Sequence, residues 1–280
     1  MKIYGLIGFP VKHSYSAVMH NAAFKELGVD ARYELFEVKP GELEEKFKSL
    51  VGQGVCGFNI TVPYKEEIIN FLDGLDAQAH LIGAVNTVKV NEDKSTKGFN
   101  TDGPAFIMHL TKIVGFNLQG KKVSILGAGG AARAVSTQLA KNGARSIALF
   151  DIDRDKAKGL AAKLEANFSN CDIRLVSEAD ALLQDKPDLL INATPVGMYK
   201  EDRLVFNPEY LHPKLVVYDL IYNPAQTSLL REAKRKGCRG VFNGLGMLLY
   251  QGALAFKVWL DVEPPIEIMD EALREVLTKA

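Results

Sequence analysis

The chain has no excess of either charge and no long apolar segment. Its 280 residues include 34 lysines and arginines against 34 aspartates and glutamates, so the formal net charge is zero. A balanced chain has no basic field that would attract nucleic acid or an anionic membrane surface, and we expect neither as a partner. No apolar run approaches the roughly 18 residues that a membrane-spanning helix needs.

Cysteine and histidine are also sparse. The three cysteines, at positions 56, 171 and 238, are widely separated and odd in number. This pattern argues against a disulfide framework and against a zinc site. The five histidines show no metal-ligand spacing, so no metal is expected. The N-terminus passes directly into a strand-like segment without the apolar stretch and cleavage site of a signal peptide. We therefore expect a reduced, cytoplasmic protein.

A strand, a glycine turn and a helix follow one another in the segment VSILGAGGAARAV, residues 123–135. Such a turn directs backbone N–H groups and the positive end of a helix at one point, which favours an anion such as a pyrophosphate. A second strand-like run ends at Asp151, about 20 residues beyond the glycines, where a carboxylate can bind the hydroxyls of an adenosine ribose. The pattern predicts a dinucleotide-binding unit; the alternative is a tight turn that needs glycine for packing alone.

Strand-like and helix-like segments alternate along the whole chain, which predicts an α/β fold with mostly parallel sheets. At this length two domains are expected. In the first region, predicted strands end near polar residues, namely Asn59 with Thr61, Asn86 and Asp102. Ligands of open α/β sheets bind beyond the carboxyl ends of the strands. The first region is therefore expected to bind a small-molecule substrate.

Several polar residues have both a structural and a functional interpretation. Ser16 is predicted to cap a helix, and together with Ser14 it can hold a small carboxylate at the helix N-terminus. Asp102 either caps the helix that follows it or takes part in chemistry. Gln251 is either a core amide bonded to backbone or a ligand contact.

Lys65 also has two interpretations. Pro63 fits the first turn of a helix, which would place Lys65 close to a helix N-terminus. A cation is disfavoured there and the neutral amine, which a proton-transferring lysine needs, is favoured. The alternative is a solvated surface lysine beside Glu66 and Glu67.

Eight segments together resemble the shikimate/quinate dehydrogenase family, and the resemblance covers nearly the whole chain. They are GFPVKHSYS with the later HN (8–21), GFNITVPYK (57–65), GAVNT (83–87), GFNTD (98–102), GAGGAARA (127–134), NATPVGM (192–198), YDLIYNPAQTSLL (218–230) and the helix with Gln251. The family reduces 3-dehydroshikimate to shikimate, a step of aromatic amino acid and chorismate biosynthesis, with a nicotinamide cofactor.

The resemblance implies two α/β domains separated by a cleft. Residues 1–104 with 245–280 would form the substrate domain, with a mostly parallel sheet, and residues 105–244 a Rossmann-type dinucleotide-binding domain.

Roles for individual residues follow from the same resemblance. Lys65 and Asp102 would form the proton-transfer pair, Ser14 and Ser16 would hold the substrate carboxylate, and Tyr222 would close the pocket. The ring hydroxyls would be bound by Asn59, Thr61, Asn86, Asp102 and Gln251. The cofactor would be bound by Gly127, Ala128, Gly129, Gly130, Ala131, Asp151, Arg154, Thr194, Leu220 and Gly244.

Two positions depart from the family pattern. Ala17 stands where the family usually has proline after the second serine, and we expect a small change in the stiffness of the chain at this position.

NADP-using members commonly carry Asn-Arg-Thr after the second strand of the cofactor domain, whereas this chain has Asp-Ile-Asp-Arg at 151–154. Asp151 would repel a 2′-phosphate and favour the free hydroxyl of NAD, although Arg154 and Lys156 can still support NADP. We therefore expect NAD(P)H, with NAD favoured.

Three other interpretations stay open. An NAD-dependent quinate/shikimate dehydrogenase acting in the catabolic direction is the nearest, although Ser16 favours shikimate. A non-catalytic dinucleotide-binding sensor would be favoured by the loss of Lys65 or Asp102, and both are present. A binder of adenosylmethionine agrees with the glycine turn but not with those two residues. The expected state is a monomer or homodimer.

Overall fold

The computed structural model describes residues 1–199 and 201–277, which belong to two compact α/β units. The first unit contains residues 1–105 and the chain from 248 onward, and the second contains residues 106–247. None of the helices in the described ranges has the length and apolar character that crossing a bilayer requires.

Twelve strands and ten α-helices make up the regular structure of the described residues. The strands are β1 (Lys2–Gly8), β2 (Ala31–Glu37), β3 (Val55–Ile60), β4 (Gly74–Leu75), β5 (Thr87–Val90), β6 (Thr96–Phe99), β7 (Lys122–Leu126), β8 (Ser146–Phe150), β9 (Asp172–Leu175), β10 (Leu189–Asn192), β11 (Val216–Asp219) and β12 (Gly240–Phe242). The helices are α1 (Ser16–Glu26), α2 (Leu43–Gly52), α3 (Ala77–Ile82), α4 (Asp102–Met108), α5 (Gly130–Lys141), α6 (Arg154–Asn167), α7 (Ala181–Gln184), α8 (Ser228–Arg235), α9 (Leu245–Leu260) and α10 (Ile266–Leu277).

The sheet of the first unit has the strand order β2-β1-β3-β5-β6-β4. Only β5 runs antiparallel to its neighbours β3 and β6, while the other pairings are parallel. The prediction of a mostly parallel sheet is confirmed. Because β5 is reversed, its first residues lie at the same edge of the sheet as the last residues of β3 and β6.

The sheet of the second unit has the order β12-β11-β10-β7-β8-β9, and every pairing in it is parallel. The order reverses between β7 and β10, which is the arrangement of a Rossmann fold. Strands covered on both faces carry nearly continuous apolar residues, and both LLIN at 189–192 and VVYD at 216–219 are fully buried. The predicted Rossmann-type unit is confirmed.

Predicted and observed elements differ at a few places. Ser16 is the first residue of α1, and Tyr15 occupies the cap position without a side-chain bond, so the predicted Ser16 cap is wrong. The apolar run at 83–88 predicts a strand, but β5 begins only at Thr87, because Gly83 adopts φ +73° and ends α3. The three-residue strand β12 was not predicted. An amphipathic pattern predicts a last helix over 265–279, and its predicted end at Lys279 lies outside the described residues.

No α-helix begins at Pro63. Residues 61–66 form turns, and a 3₁₀ helix follows over Glu67–Phe71. The carbonyl of Lys65 accepts a hydrogen bond from the backbone N–H of Val85 at 2.7 Å, so it is engaged by a neighbouring segment instead of a helical turn. The predicted helix at this position is wrong for that tertiary reason.

A buried carboxylate joins three segments of the second unit. Asp219, at the end of β11, is fully buried. It accepts hydrogen bonds from Asn192 Nδ2 at 2.9 Å, from the N–H of Ile221 at 3.1 Å and from Thr227 Oγ1 at 2.7 Å. Burial raises the pKa of Asp219 to about 6, although these three hydrogen bonds oppose the rise. The charged form of Asp219 is therefore disfavoured in the folded protein.

Replacing Asp219 with asparagine should change how stability depends on pH. An unfolded aspartate titrates near 4, so between pH 4 and 6 the folded wild type binds more protons than the unfolded chain and loses stability as pH rises. Asp219→Asn lacks this titration. The difference between its free energy of unfolding and that of the wild type should therefore shift in favour of the variant by about 3 kcal/mol from pH 4 to 7. Denaturant unfolding across this range measures the difference, with exposed Asp155→Asn as the control. A relative stability that stays constant or falls with pH would contradict the assignment.

Candidate active site

Polar side chains of the first unit converge at one edge of its sheet. Thr61 follows β3, Asp102 follows β6, and Asn86 precedes β5. Asn86 was expected at the end of a strand; it reaches this edge because β5 is antiparallel. Backbone bonds tie the segments together: the N–H of Ile60 donates to the carbonyl of Asn86 at 2.9 Å, and the N–H of Asn86 donates to the carbonyl of Phe99 at 3.1 Å.

The shortest polar contact at this edge joins Lys65 and Asp102. Lys65 Nζ lies 2.5 Å from Asp102 Oδ2, and the two side chains are only 15% and 6% exposed. Lys65 is thus not the solvated surface lysine of the alternative interpretation. A charge-assisted hydrogen bond of this kind orients the ammonium group strongly, and an ammonium held beside a carboxylate can deliver a proton to a neighbouring oxygen.

A buried network of amides and hydroxyls includes Thr101, the residue directly before Asp102. Asn86 Oδ1 accepts from the N–H of Thr101 at 2.7 Å, and Asn86 Nδ2 donates to Thr101 Oγ1 at 2.9 Å and to Gln251 Oε1 at 3.4 Å. Gln251 in turn donates to the carbonyl of Leu248 at 2.9 Å. Thr87 Oγ1 lies 3.2 Å from Thr101 Oγ1. The network brings two predicted site residues together and adds two threonines.

Thr87 and Thr101 were missed by the sequence reasoning. Each is next to a predicted site residue, in the segments GAVNT and GFNTD, and both are buried. The signal available in the sequence was a second polar residue directly beside a candidate site residue.

Asn59 is held on both sides of its amide. Its Nδ2 donates to the carbonyl of Asn86 and to Thr87 Oγ1, each at 3.1 Å, and its Oδ1 accepts from the hydroxyl of Tyr33 at 2.8 Å. Its 4% exposure shows that it lies at the base of the polar cluster. Tyr33, on β2, is a further residue that the sequence did not indicate.

The two serines lie close to each other at the start of α1. Ser14 Oγ donates to Ser16 Oγ at 3.2 Å, and the N–H of Ser16 donates to Ser14 Oγ at 3.3 Å. The segment before them is joined to the loop after β3, since the N–H of Phe9 donates to the carbonyl of Val62 at 2.9 Å. Tyr222 is half-buried and follows β11 in the second unit.

In the second unit, residues expected to bind the cofactor also share one edge of a sheet. Gly127, Asp151, Thr194, Leu220 and Gly244 lie just beyond β7, β8, β10, β11 and β12. Because these strands are parallel, their carboxyl ends meet at the same edge.

The glycine turn itself has the geometry of an anion site. Gly127 has φ +103°, and a Cβ there would lie 2.9 Å from the carbonyl oxygen of Ala193, so only glycine fits. A Cβ on Gly129 would meet open space. Helix α5 begins at Gly130 with Ala131 in its first turn, and no side chain of the described residues caps it. The first N–H groups of this helix are therefore available to an acceptor.

Other residues at this edge support the turn. Asp151 accepts from the N–H groups of Ala128 at 2.7 Å and Asp153 at 2.8 Å. Thr194 Oγ1 donates to the side chain of Asn192 at 2.6 Å. A Cβ on Gly244 would overlap the backbone of Leu220. Arg154 is exposed at the first position of α6.

Metal ligands are not grouped in this structure. Within the described ranges no cluster of three or more histidine, cysteine, aspartate or glutamate side chains could hold a metal ion.

Comparison with known families and proteins gives a consistent result. Residues 6–88 match the shikimate dehydrogenase substrate binding domain, residues 109–199 match shikimate / quinate 5-dehydrogenase, and residues 244–274 match the shikimate 5'-dehydrogenase C-terminal domain. Shikimate dehydrogenase (NADP(+)) of Methanocaldococcus jannaschii is 44% identical over 99% of this chain and 98% of its own length.

Solved structures agree along the whole chain. A shikimate dehydrogenase crystallised in complex with NADP+ is 42% identical, with a TM-score of 0.89 over 99% of this chain and 96% of its own. Shikimate 5-dehydrogenase from Listeria monocytogenes, solved with shikimate and NAD, is 37% identical, with a TM-score of 0.85 over 98% of this chain and 96% of its own. The chain therefore belongs to the shikimate dehydrogenase family.

Proposed function

We propose that this protein catalyses the reversible, nicotinamide-dependent reduction of 3-dehydroshikimate to shikimate. The observation that carries the proposal is the Lys65–Asp102 pair, at 2.5 Å and with little exposure, inside a cluster of amides and hydroxyls. Relatives that align along nearly their whole length include shikimate dehydrogenases, one solved with NADP+ and one with shikimate and NAD. In this assignment the first unit binds the substrate and the second binds the cofactor.

The chain's own residues perform the proton transfer and the binding. A reduced nicotinamide, when bound, would supply the hydride for the ring carbonyl carbon. Negative charge that grows on the carbonyl oxygen is stabilised and protonated by the Lys65 ammonium, which then regains a proton from solvent. Asp102 holds the ammonium in place and accepts a hydrogen bond from the adjacent ring hydroxyl. Ser14 and Ser16 bind the substrate carboxylate with their hydroxyls and the start of α1.

The other assigned contacts extend this arrangement. Asn59, Thr61, Asn86 and Gln251 bind the ring hydroxyls, and Tyr222 stays a predicted substrate contact.

The second unit fits a dinucleotide. The open space at Gly129 and the uncapped start of α5 suit a pyrophosphate. Asp151, beyond β8, is placed to accept hydrogen bonds from the adenosine ribose. Thr194, Leu220 and Gly244, at the same edge, complete the assigned binding surface.

Asp151 leads us to propose a preference for NAD, or the use of both cofactors. Its carboxylate is held by two backbone N–H groups, so its charge stays at this edge, where it repels a 2′-phosphate. Lys156 is the next basic residue of α6 after Arg154. Its Nζ forms an ion pair with the carboxylate of Asp153 at 3.7 Å.

The proposed activity is tested by following nicotinamide absorbance with shikimate or quinate, each with NAD or NADP. We expect turnover of shikimate with at least one cofactor and a lower kcat/KM for quinate, since Ser16 favours shikimate. Activity with quinate alone would replace this proposal with the quinate dehydrogenase interpretation. Binding of cofactor without turnover of either acid would favour a non-catalytic sensor.

Removing the Lys65 amine should abolish most of the turnover. Lys65→Ala is expected to lower kcat at least about 100-fold while leaving substrate affinity largely intact, because the amine acts on the transition-state charge. Steady-state kinetics with shikimate measure this, and Lys48→Ala, which removes an exposed lysine paired with Glu44, is the control. A Lys65→Ala enzyme with near-normal kcat would refute the assigned role.

Neutralising Asp151 should shift cofactor selectivity. Asp151→Asn keeps an acceptor oxygen but removes the charge, so the ratio of kcat/KM for NADP to that for NAD should rise about tenfold or more. The ratio separates selectivity from general damage to the glycine turn, and exposed Asp155→Asn on α6 is the control. An unchanged ratio, or a strong NADP preference in the wild type, would disprove the inference from Asp151.

A further inference from the structure

A buried aromatic cluster lies directly behind Asn59 in the first unit. His20, on α1, is fully buried and stacks on Tyr33 with ring centroids 4.5 Å apart and an interplanar angle of 11°. It is also nearly parallel to Phe256, at 6.3 Å and 8°. Trp259 lies 5.2 Å from His20 and 6.1 Å from Tyr33. The ring of Tyr33 is thus confined by aromatic neighbours.

His20 acts in this cluster as an uncharged ring. Neither ring nitrogen has a hydrogen-bond partner among the residues that the structure describes. Burial lowers the pKa of His20 to about 3, although the neighbouring Asn59 side chain opposes the shift.

The residue after His20 holds the backbone of the same tyrosine. Asn21 Oδ1 accepts from the N–H of Tyr33 at 2.8 Å, and Asn21 Nδ2 donates to the carbonyl of Tyr33 at 3.1 Å. Two consecutive residues of α1 therefore hold one residue of β2, His20 at its ring and Asn21 at its backbone. The proposed function assigns no role to this His-Asn pair.

The hydroxyl of Tyr33 and the carbonyl of Asn86 together fix the Asn59 amide. It donates to Asn59 Oδ1 at 2.8 Å. On the other side, Asn59 Nδ2 faces the carbonyl of Asn86 at 3.1 Å, and a carbonyl can only accept. If the amide were flipped, Asn59 Oδ1 would face the carbonyl oxygen of Asn86, and neither atom could donate. A donor at Tyr33 and an acceptor at Asn86 thus leave one stable orientation of the amide.

We propose that Tyr33, held by His20 and Asn21, is a positioning residue that acts through Asn59 on the binding of the ring hydroxyls of the substrate. The inference rests on the proposed function, in which Asn59 contacts the substrate. Tyr33 itself is 3% exposed and does not need to touch the substrate. Without its hydroxyl, Asn59 Oδ1 loses its donor, and the amide is held only through Nδ2, by its bonds to Asn86 and Thr87, so its binding position is less well fixed.

The test compares Tyr33→Phe with Tyr4→Phe in the full chain. Tyr4 belongs to the same cluster, stacked on Trp259 at 5.0 Å, but the described bonds of the Asn59 side chain run to Tyr33, Asn86 and Thr87. We expect Tyr33→Phe to raise the Kd for shikimate about tenfold by calorimetry, with kcat reduced less than about threefold. Tyr4→Phe should leave the Kd unchanged.

A double-mutant cycle with Asn59→Ala separates positioning from packing. If Tyr33 acts through Asn59, the Tyr33→Phe effect on Kd should fall below about twofold in the Asn59→Ala background. The emission of Trp259, the only tryptophan of the chain, should stay at the wild-type wavelength in both tyrosine variants and so report an intact cluster.

Three results would overturn the inference: an unchanged Kd in Tyr33→Phe, an equal loss in Tyr4→Phe, or additive effects of Tyr33→Phe and Asn59→Ala. Wild-type protein that neither binds nor oxidises shikimate would instead remove the proposed function, and this inference with it.

Discussion

The arrangement of the candidate active site depends on the contact between the Lys65 ammonium and the Asp102 carboxylate. It joins the loop after β3 to the start of α4, and both side chains are largely withdrawn from solvent. Removing two charges from water carries a desolvation cost that their attraction often fails to repay, so a buried ion pair is weak evidence of a stabilising role. The pair instead supports the proposed chemistry, in which an oriented ammonium would stabilise and protonate an oxygen on which charge develops.

Both units use the carboxyl edge of a sheet, and in both a layer of buried polar contacts holds that edge. In the first unit the hydrogen bonds of Asn86 to Thr101 and Gln251, and of Asn59 to Tyr33, fix two amides before any ligand arrives. In the second unit Asp219 ties the ends of β10 and β11 to the start of α8. Groups fixed in this way need little reorganisation when substrate or cofactor binds.

Local sequence patterns predicted the features that depend on local physics. The glycine turn at 127–130 was found because strand formers, glycines and helix formers follow one another there. The apolar run VCGFNI likewise predicts a strand over 55–60, the observed bounds of β3. The helix at Pro63 failed because a neighbouring segment engages its backbone, as the bond from the N–H of Val85 to the carbonyl of Lys65 shows. The Ser16 cap failed because α1 already begins at Ser16, with Tyr15 in the cap position. Tyr33, Thr87 and Thr101 were missed because their importance lies in contacts between distant segments. The proposed roles of Lys65 and Asp102 follow from the family resemblance. Because 37 residues separate the two in sequence, their spacing alone predicts no contact between them.

The most direct test of the account is a crystal structure of this protein with shikimate and oxidised cofactor bound. The account predicts that Lys65 Nζ lies within hydrogen-bond distance, about 3 Å, of the hydroxyl on the ring carbon that gives up hydride, with Asp102 still paired to the amine. A complex in which that hydroxyl is bound by other groups, and Lys65 and Asp102 lie beyond hydrogen-bonding reach of the ring, would contradict it.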